Sequence, residues 1–385
     1  MKFKRVTLAL LGLTIVFGLL FRDKILGEFP RLSYAFCHLT DKKEGTCWES
    51  VIKQSLFVGG PKTAFSALKY LYEEEPEIRA ECHDYAHYIG ESSYELYKKS
   101  GAIGLAPEAS YCGYGFYHGF IIAMMADGKE PFEVSRFCED ANSELSKDNP
   151  ITRLDCYHGI GHGVTDYDFR NIPKIETAQI LIESSTNLCK DVAPGEEELA
   201  WCADGVFHSV TEVPLQDLPK FIDKNAPLSF CEAQEKDFQG ACYESLGFLL
   251  MQLTNNDFAE ALSYSKGVDN PLYKANMIRL LSGYQAYRTA SDPDYIEDIS
   301  SCRSLGSILF EECLKGLVEG SLDFGNPGDE YAALAKLCAS EELSSQETDF
   351  CLSHAASHLG GTLGETKRDE FCDLMTVEKR GKLCQ

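Results

Sequence analysis

The phrase Cys156-Tyr157-His158-Gly159-Ile160-Gly161-His162-Gly163 decides how this chain is read, because it has counterparts elsewhere. Cys112-Gly-Tyr-Gly-Phe-Tyr-His118-Gly119, Cys202-Ala-Asp-Gly-Val-Phe-His208-Ser209 and Cys313-Leu-Lys-Gly-Leu-Val-Glu319-Gly320 share its frame, and Cys82, Cys242 and Cys351 open looser versions. Successive openings at Cys82, Cys112, Cys156, Cys202 and Cys242 lie 30 to 46 residues apart. A fixed period in that range marks an array of stacked helical hairpins.

The 16 cysteines support the same division. Most fall into close pairs: Cys37/Cys47, Cys138/Cys156, Cys189/Cys202, Cys231/Cys242, Cys302/Cys313, Cys338/Cys351 and Cys372/Cys384, separated by 10 to 18 residues. Cys82 and Cys112 remain, 30 apart, and pair only by elimination. These spacings lack the short intervals of zinc sites and read as disulfides in an oxidising compartment.

Between the cysteines the chain reads as helix. Lys62 to Glu75, Ile175 to Leu188, Asp257 to Ser265 and Tyr331 to Leu337 carry apolar residues three and four apart. Breakers separate them at Pro76, Pro173, Pro227, Asn270-Pro271, Pro293 and Asn326-Pro327-Gly328, and no segment alternates as a strand does. Each unit is then a helix A ending near the first cysteine, a short loop, and a helix B opened by the second, with the disulfide clamping the turn. The segment 243–301 has no cysteine but keeps the hairpin pattern. The paired cysteines and phrases such as Cys242-Tyr-Glu-Ser-Leu-Gly-Phe-Leu-Leu resemble the secreted, cysteine-rich relatives of tetratricopeptide arrays. The resemblance implies an α-solenoid used for binding and carries over no catalytic residue. The expected fold is therefore all-α: a disulfide-stapled α-solenoid of about nine or ten hairpins over 29–385, behind an N-terminal membrane anchor over 1–28.

Lys2, Lys4 and Arg5 precede an apolar run from Val6 to Phe21, closed by Arg22, Asp23 and Lys24. That is the layout of a secretory signal or a signal anchor. No small-x-small cleavage site follows, which favours an uncleaved transmembrane helix holding the rest outside the cytoplasm. Secretion after signal cleavage is the alternative. With no Asn-x-Ser/Thr sequon, the bacterial periplasm or cell surface fits better than a glycosylating lumen. The chain's 36 Lys and Arg against 60 Asp and Glu give a net charge of −24, which excludes a phosphate-seeking, nucleic-acid-binding surface.

Eight of the nine histidines lie in the helix B openings, and His83/His87, His158/His162 and His354/His358 are spaced i, i+4. On a helix this spacing puts two imidazoles on one face, where they can share a metal ion. His118, His162 and His208 each sit six residues after their cysteine, so stacked B helices would bring them into a row. The expected metal residues are His83, His87, His118, His158, His162 and His208. Asp166, Asp168 and Asp204 stand near enough in sequence to add oxygen ligands, a mixed set suiting Fe, Zn or Mn. His354/His358 is expected tens of ångströms away, unless the array closes into a ring. The competing reading makes these histidines packing residues of the repeat. Against it, Phe248, Glu319 and Ser357 occupy equivalent places in other units, so the repeat does not require imidazole there. The glycine three residues after each cysteine (Gly115, Gly159, Gly205, Gly316) is expected to let helices approach closely.

Other chemistry is not indicated. There is no Cys-x-x-Cys-His for c-type haem, no His-Glu-x-x-His, no serine nucleophile elbow and no nucleotide-binding glycine loop. Two functions follow. One is an anchored extracytoplasmic protein with a His-lined site for a divalent transition metal, which would make it a metal-dependent enzyme of unassigned reaction. The other is a non-catalytic scaffold that holds an envelope protein on its acidic solenoid face.

Overall fold

The computed structural model describes residues 29–35, 44–101, 104–105, 107–147, 149–171, 178–212, 222–290, 294–326, 331–375, 379–381 and 384. The proposed anchor over 1–28 lies outside these residues, and so does Cys37. Among the described residues regular structure is entirely helical, and no helix is long and apolar enough to cross a membrane.

The helix starts follow local chemistry. Pro76 opens α2 (Pro76–Ser100), where its missing N–H costs nothing. Asn270 caps α11 (Pro271–Arg288) by accepting from Leu272 N at 2.9 Å, and Ser344 with Glu347 forms a capping box on α15 (Ser345–Thr362). Upstream, α1 (Glu44–Glu74) bends at Gly60-Pro61, where Gly60 takes φ 75°. The other long helices of the array are α3 (Gly115–Ala126), α5 (Thr152–Asn171), α7 (Glu196–Thr211), α9 (Lys236–Leu253) and α13 (Ser307–Asp323). Between them run α4 (Pro131–Leu145), α6 (Ala178–Val192), α8 (Leu228–Glu232), α10 (Phe258–Ser263), α12 (Tyr295–Arg303) and α14 (Tyr331–Cys338), with α16 (Glu365–Asp373) last.

The B helices pack in chain order: α2 on α3, then α5, α7, α9, α11, α13 and α15. Glycine permits this. A Cβ on Gly205 would stand 2.0 Å from His158 O, and one on Gly316 would stand 1.9 Å from Arg279 O, so only hydrogen fits between these backbones. Gly115 meets His83 and Gly119 meets His87, so α2 and α3 run in the same direction. This register sets the histidines side by side.

Seven cysteine pairs stand at disulfide distance, with Cα atoms 5.4–6.2 Å apart. They differ in one member from the seven close pairs expected from spacing. Cys47 is not among them, and Cys82–Cys112 is. Cys47 sits buried in the first turn of α1 and is engaged in a disulfide, as expected. Its expected partner Cys37 falls outside the described residues, so the Cys37–Cys47 clamp stays an expectation from spacing.

Five of the seven pairs, from Cys138–Cys156 to Cys338–Cys351, join a shorter helix to the B helix after it. Cys372 of α16 meets Cys384. Cys82–Cys112 differs from the expected A–B clamp. It links α2 to the loop before α3, two neighbouring B helices with only a 3₁₀ turn (Pro107–Ser110) between them. The described residues hold eight B helices, and nine or ten hairpins were expected for the whole chain.

The series also turns back on itself. Gly113 N donates to Asp323 O at 2.8 Å, and Tyr72 Oη donates to Phe324 O at 3.1 Å. An open array would hold α13 and the loop before α3 far apart. Here they touch, and the inward side chains of early and late helices meet.

Candidate metal centre

Four neighbouring B helices supply six imidazoles: His83 and His87 from α2, His118 from α3, His158 and His162 from α5, and His208 from α7. His87 Nε2 lies 3.1 Å from His83 Nε2 and 3.0 Å from His118 Nδ1. His158 Nε2 lies 3.1 Å from His162 Nε2 and 3.2 Å from His208 Nδ1. The two halves meet where the His118 ring stacks on His162, centroids 4.3 Å apart. His83, His87 and His118 form one group whose ligand atoms all lie within 4.8 Å of one another, and His118, His158 and His162 form a second. Either group could hold a metal ion.

Four of the nitrogens that face away from these groups have a polar atom behind them. His83 Nδ1 donates to Cys112 O at 2.8 Å, so its proton is on Nδ1 and Nε2 carries a lone pair. His158 Nδ1 lies 2.9 Å from Asp204 Oδ2, and the other oxygen of Asp204 accepts from Ser245 Oγ at 2.9 Å. His208 Nε2 lies 3.0 Å from Glu212 Oε1, and His162 Nδ1 meets Ser209 Oγ at 2.8 Å. Metal-binding histidines are ordinarily oriented in this way by a carbonyl, carboxylate or hydroxyl behind the ring.

Burial keeps most of this set neutral. Burial first, then His83, pushes His87 down to about 3, and burial with the neighbouring imidazoles holds His118 and His162 well below the usual histidine range. His83 is also lowered, chiefly by burial. His208 goes the other way: burial disfavours its charge, but Glu212 and Asp204 outweigh burial and raise it. Glu212 is held at about 2 by His208 and the α2 imidazoles, against its own burial.

The geometry corrects the expected mixed donor set. Asp204 stands behind His158, on the side away from the other imidazoles, so its role is to orient the ring. The side chain of Asp168 lies outside the described residues. Among the described residues the converging ligand atoms are imidazole nitrogens.

His354 and His358 do not lie tens of ångströms away. His358 Nε2 is 2.8 Å from Asp323 Oδ1, and the Asp323 carbonyl in turn accepts from Gly113, next to the Cys112 carbonyl that holds His83. His354 Nε2 pairs with Glu319 Oε1 at 2.9 Å. Both lie within hydrogen-bond distance of carboxylates on α13, and neither joins a three-ligand group among the described residues.

Aromatic rings complete a circuit that the sequence did not disclose. From His208 it runs to Phe248 (4.2 Å between centroids), Tyr284 (4.4 Å), Tyr287 (6.0 Å) and Phe324 (4.5 Å), and back to His83 (5.9 Å). Phe248 could have been placed, since it sits six residues after Cys242. Glu212 also had a signal, four residues after His208. Tyr284, Tyr287 and Phe324 had none, because their positions depend on how far the array curls. No model of a known protein family matches the chain, and no curated protein shows significant similarity to it.

Proposed function

We propose that this chain is an extracytoplasmic metal-binding protein: a helical-repeat solenoid, stapled by disulfides and held at the membrane by its N-terminal apolar segment, whose curled interior holds a transition metal on histidine. The observation that carries this reading is the convergence of buried imidazole nitrogens: His83, His87 and His118 present ligand atoms within 4.8 Å of one another, and so do His118, His158 and His162. Asp204 Oδ2 stands 2.9 Å from His158 Nδ1 and Glu212 Oε1 stands 3.0 Å from His208 Nε2, an acidic backing that suits a bound cation. Buried nitrogens gathered in this way call for a positive partner between them, a proton or a metal ion, and three in range favour the metal. Bound there, the ion could hold a small ligand or activate water or oxygen. The seven cysteine pairs support the oxidising compartment.

The test is the metal content of purified protein, wild type against a His158→Ala/His162→Ala double variant. The metal reading predicts stoichiometric metal in the wild type and a loss of at least half in the variant. Metal at background in both, with only stability altered by the substitutions, would leave the scaffold reading: an acidic face for an envelope partner.

A further inference from the structure

We propose that the six imidazoles hold two metal ions side by side, one on each half of a duplicated ligand set. This inference rests on the metal reading above. Its starting point is a repeat within the site. In each half one B helix gives an i, i+4 histidine pair and the next B helix gives a third imidazole, six residues after its cysteine: His83 and His87 with His118, then His158 and His162 with His208. The chemistry repeats as well. In both halves the pair contributes Nε2 and the third residue contributes Nδ1, at 3.0–3.1 Å in the first half and 3.1–3.2 Å in the second. Metal–nitrogen bonds of about 2.0–2.1 Å at tetrahedral angles separate neighbouring ligand atoms by about 3.3 Å. Two nitrogen pairs in each half therefore stand close to the spacing a tetrahedral ion demands, centred on His87 in the first half and on His158 in the second.

His118 is the residue that decides between one centre and two, since it lies within reach of both groups. It lies face to face with His162, the planes 21° apart at 4.3 Å. A stacked ring shows its neighbour a π-face, and its lone pairs lie in the ring plane. Its Nδ1 is already 3.0 Å from His87 Nε2. His118 therefore belongs to the first ion. The second ion takes His208, whose Nδ1 approaches His158 edge-on at 3.2 Å while Glu212 holds the opposite nitrogen. Three nitrogens per ion leave a position open on each, and two adjacent open positions accept a small anion such as hydroxide or azide between them. An all-imidazole set binds Cu(II) most tightly among the divalent ions of the first row, with Zn(II) next for availability.

Copper titration of the metal-free full-length protein tests this, followed by elemental analysis and paramagnetic resonance. Two equivalents of Cu(II) are expected. At this separation the two spins couple, so the resonance signal should account for less copper than is bound. His87→Ala and His208→Ala should each bind one equivalent and restore the full signal of one isolated copper. The pair guards against misfolding, since each variant keeps the other half intact. Saturation of the wild type at one equivalent would overturn the two-ion inference and leave the metal reading standing. Retention of both equivalents by His208→Ala would overturn it too, by showing that the second ion does not depend on His208. Binding of no copper and no Zn(II) would remove both readings at once.

Discussion

His87 has one N–H at most to give and two nitrogens within 3.1 Å to receive it, His83 Nε2 and His118 Nδ1. At the scale of the residue, this mismatch is what separates a metal site from a packing cluster. Carboxylates behind the rings set ligand strength, so Glu212→Gln should weaken metal binding about 10–100-fold without unfolding the protein. A competition titration against a chromophoric chelator reads this directly. The pH dependence follows from the direction of the shifts. His87, His118 and His162 have folded-state values below that of an exposed histidine, so in mild acid the unfolded chain binds protons the native one refuses. Their contribution to stability is present above about pH 6.5 and is lost as the pH falls toward 3. His208 is raised and works the opposite way, its contribution fading as the pH rises through its folded value. With His83, four lowered histidines outnumber the two raised ones, His208 and His358. The metal-free protein should therefore melt at progressively lower temperature from pH 6.5 down to pH 4, and a melting temperature that rose over that range would contradict the burial of these rings.

At the scale of the element, the site depends on glycine as much as on histidine. Gly205 lies against the His158 carbonyl with room for hydrogen alone, so Gly205→Ala should push α7 off α5 and cost about 1–3 kcal/mol. The same move should separate His208 from His158 and weaken metal binding. Gly361, within α15, meets nothing within 4 Å of a built Cβ. Gly361→Ala should be neutral or stabilising by up to about 1 kcal/mol, through helix propensity. Denaturant midpoints for the two variants check the contrast. Much of this level was legible in the sequence. The cysteine phrases give the helix openings, the i, i+4 pairs give the faces, and the glycines give the close approach. What could not be read was the side on which Asp204 falls. It lies four residues before His208 in the chain, yet it serves His158 on the neighbouring helix, a relation set by the stagger between α5 and α7. The direct step from α2 to α3 was hidden for a similar reason: Pro107–Ser110 is a single 3₁₀ turn where every other unit has a helix.

At the scale of the whole molecule, the disulfides and the curl act together. A local cross-link in a loop of 11 to 18 residues contributes about 3 kcal/mol on the chain-entropy account, and Cys82–Cys112, closing 30 residues, somewhat more. Cys82–Cys112 also borders the site, since Cys82 precedes His83 and the Cys112 carbonyl accepts from it. Replacing both cysteines by serine should therefore lower metal affinity as well as melting temperature. The same replacement at Cys302–Cys313 should lower melting temperature alone; equal effects on affinity would count against this assignment. The curl could not be read from the repeat, because small rotations per unit accumulate and the sequence fixes none of them. Here they bring Asp323 and Phe324 of the late array to Gly113 and His83 of the early one. The measurement that addresses the central claim most directly is anomalous diffraction at the metal edge, on crystals of protein isolated without chelator. The account predicts strong anomalous peaks among the imidazole nitrogens of α2, α3, α5 and α7, with Asp204 and Glu212 behind the rings. A map with no peak there, and with the six imidazoles joined to one another by protons alone, would contradict it.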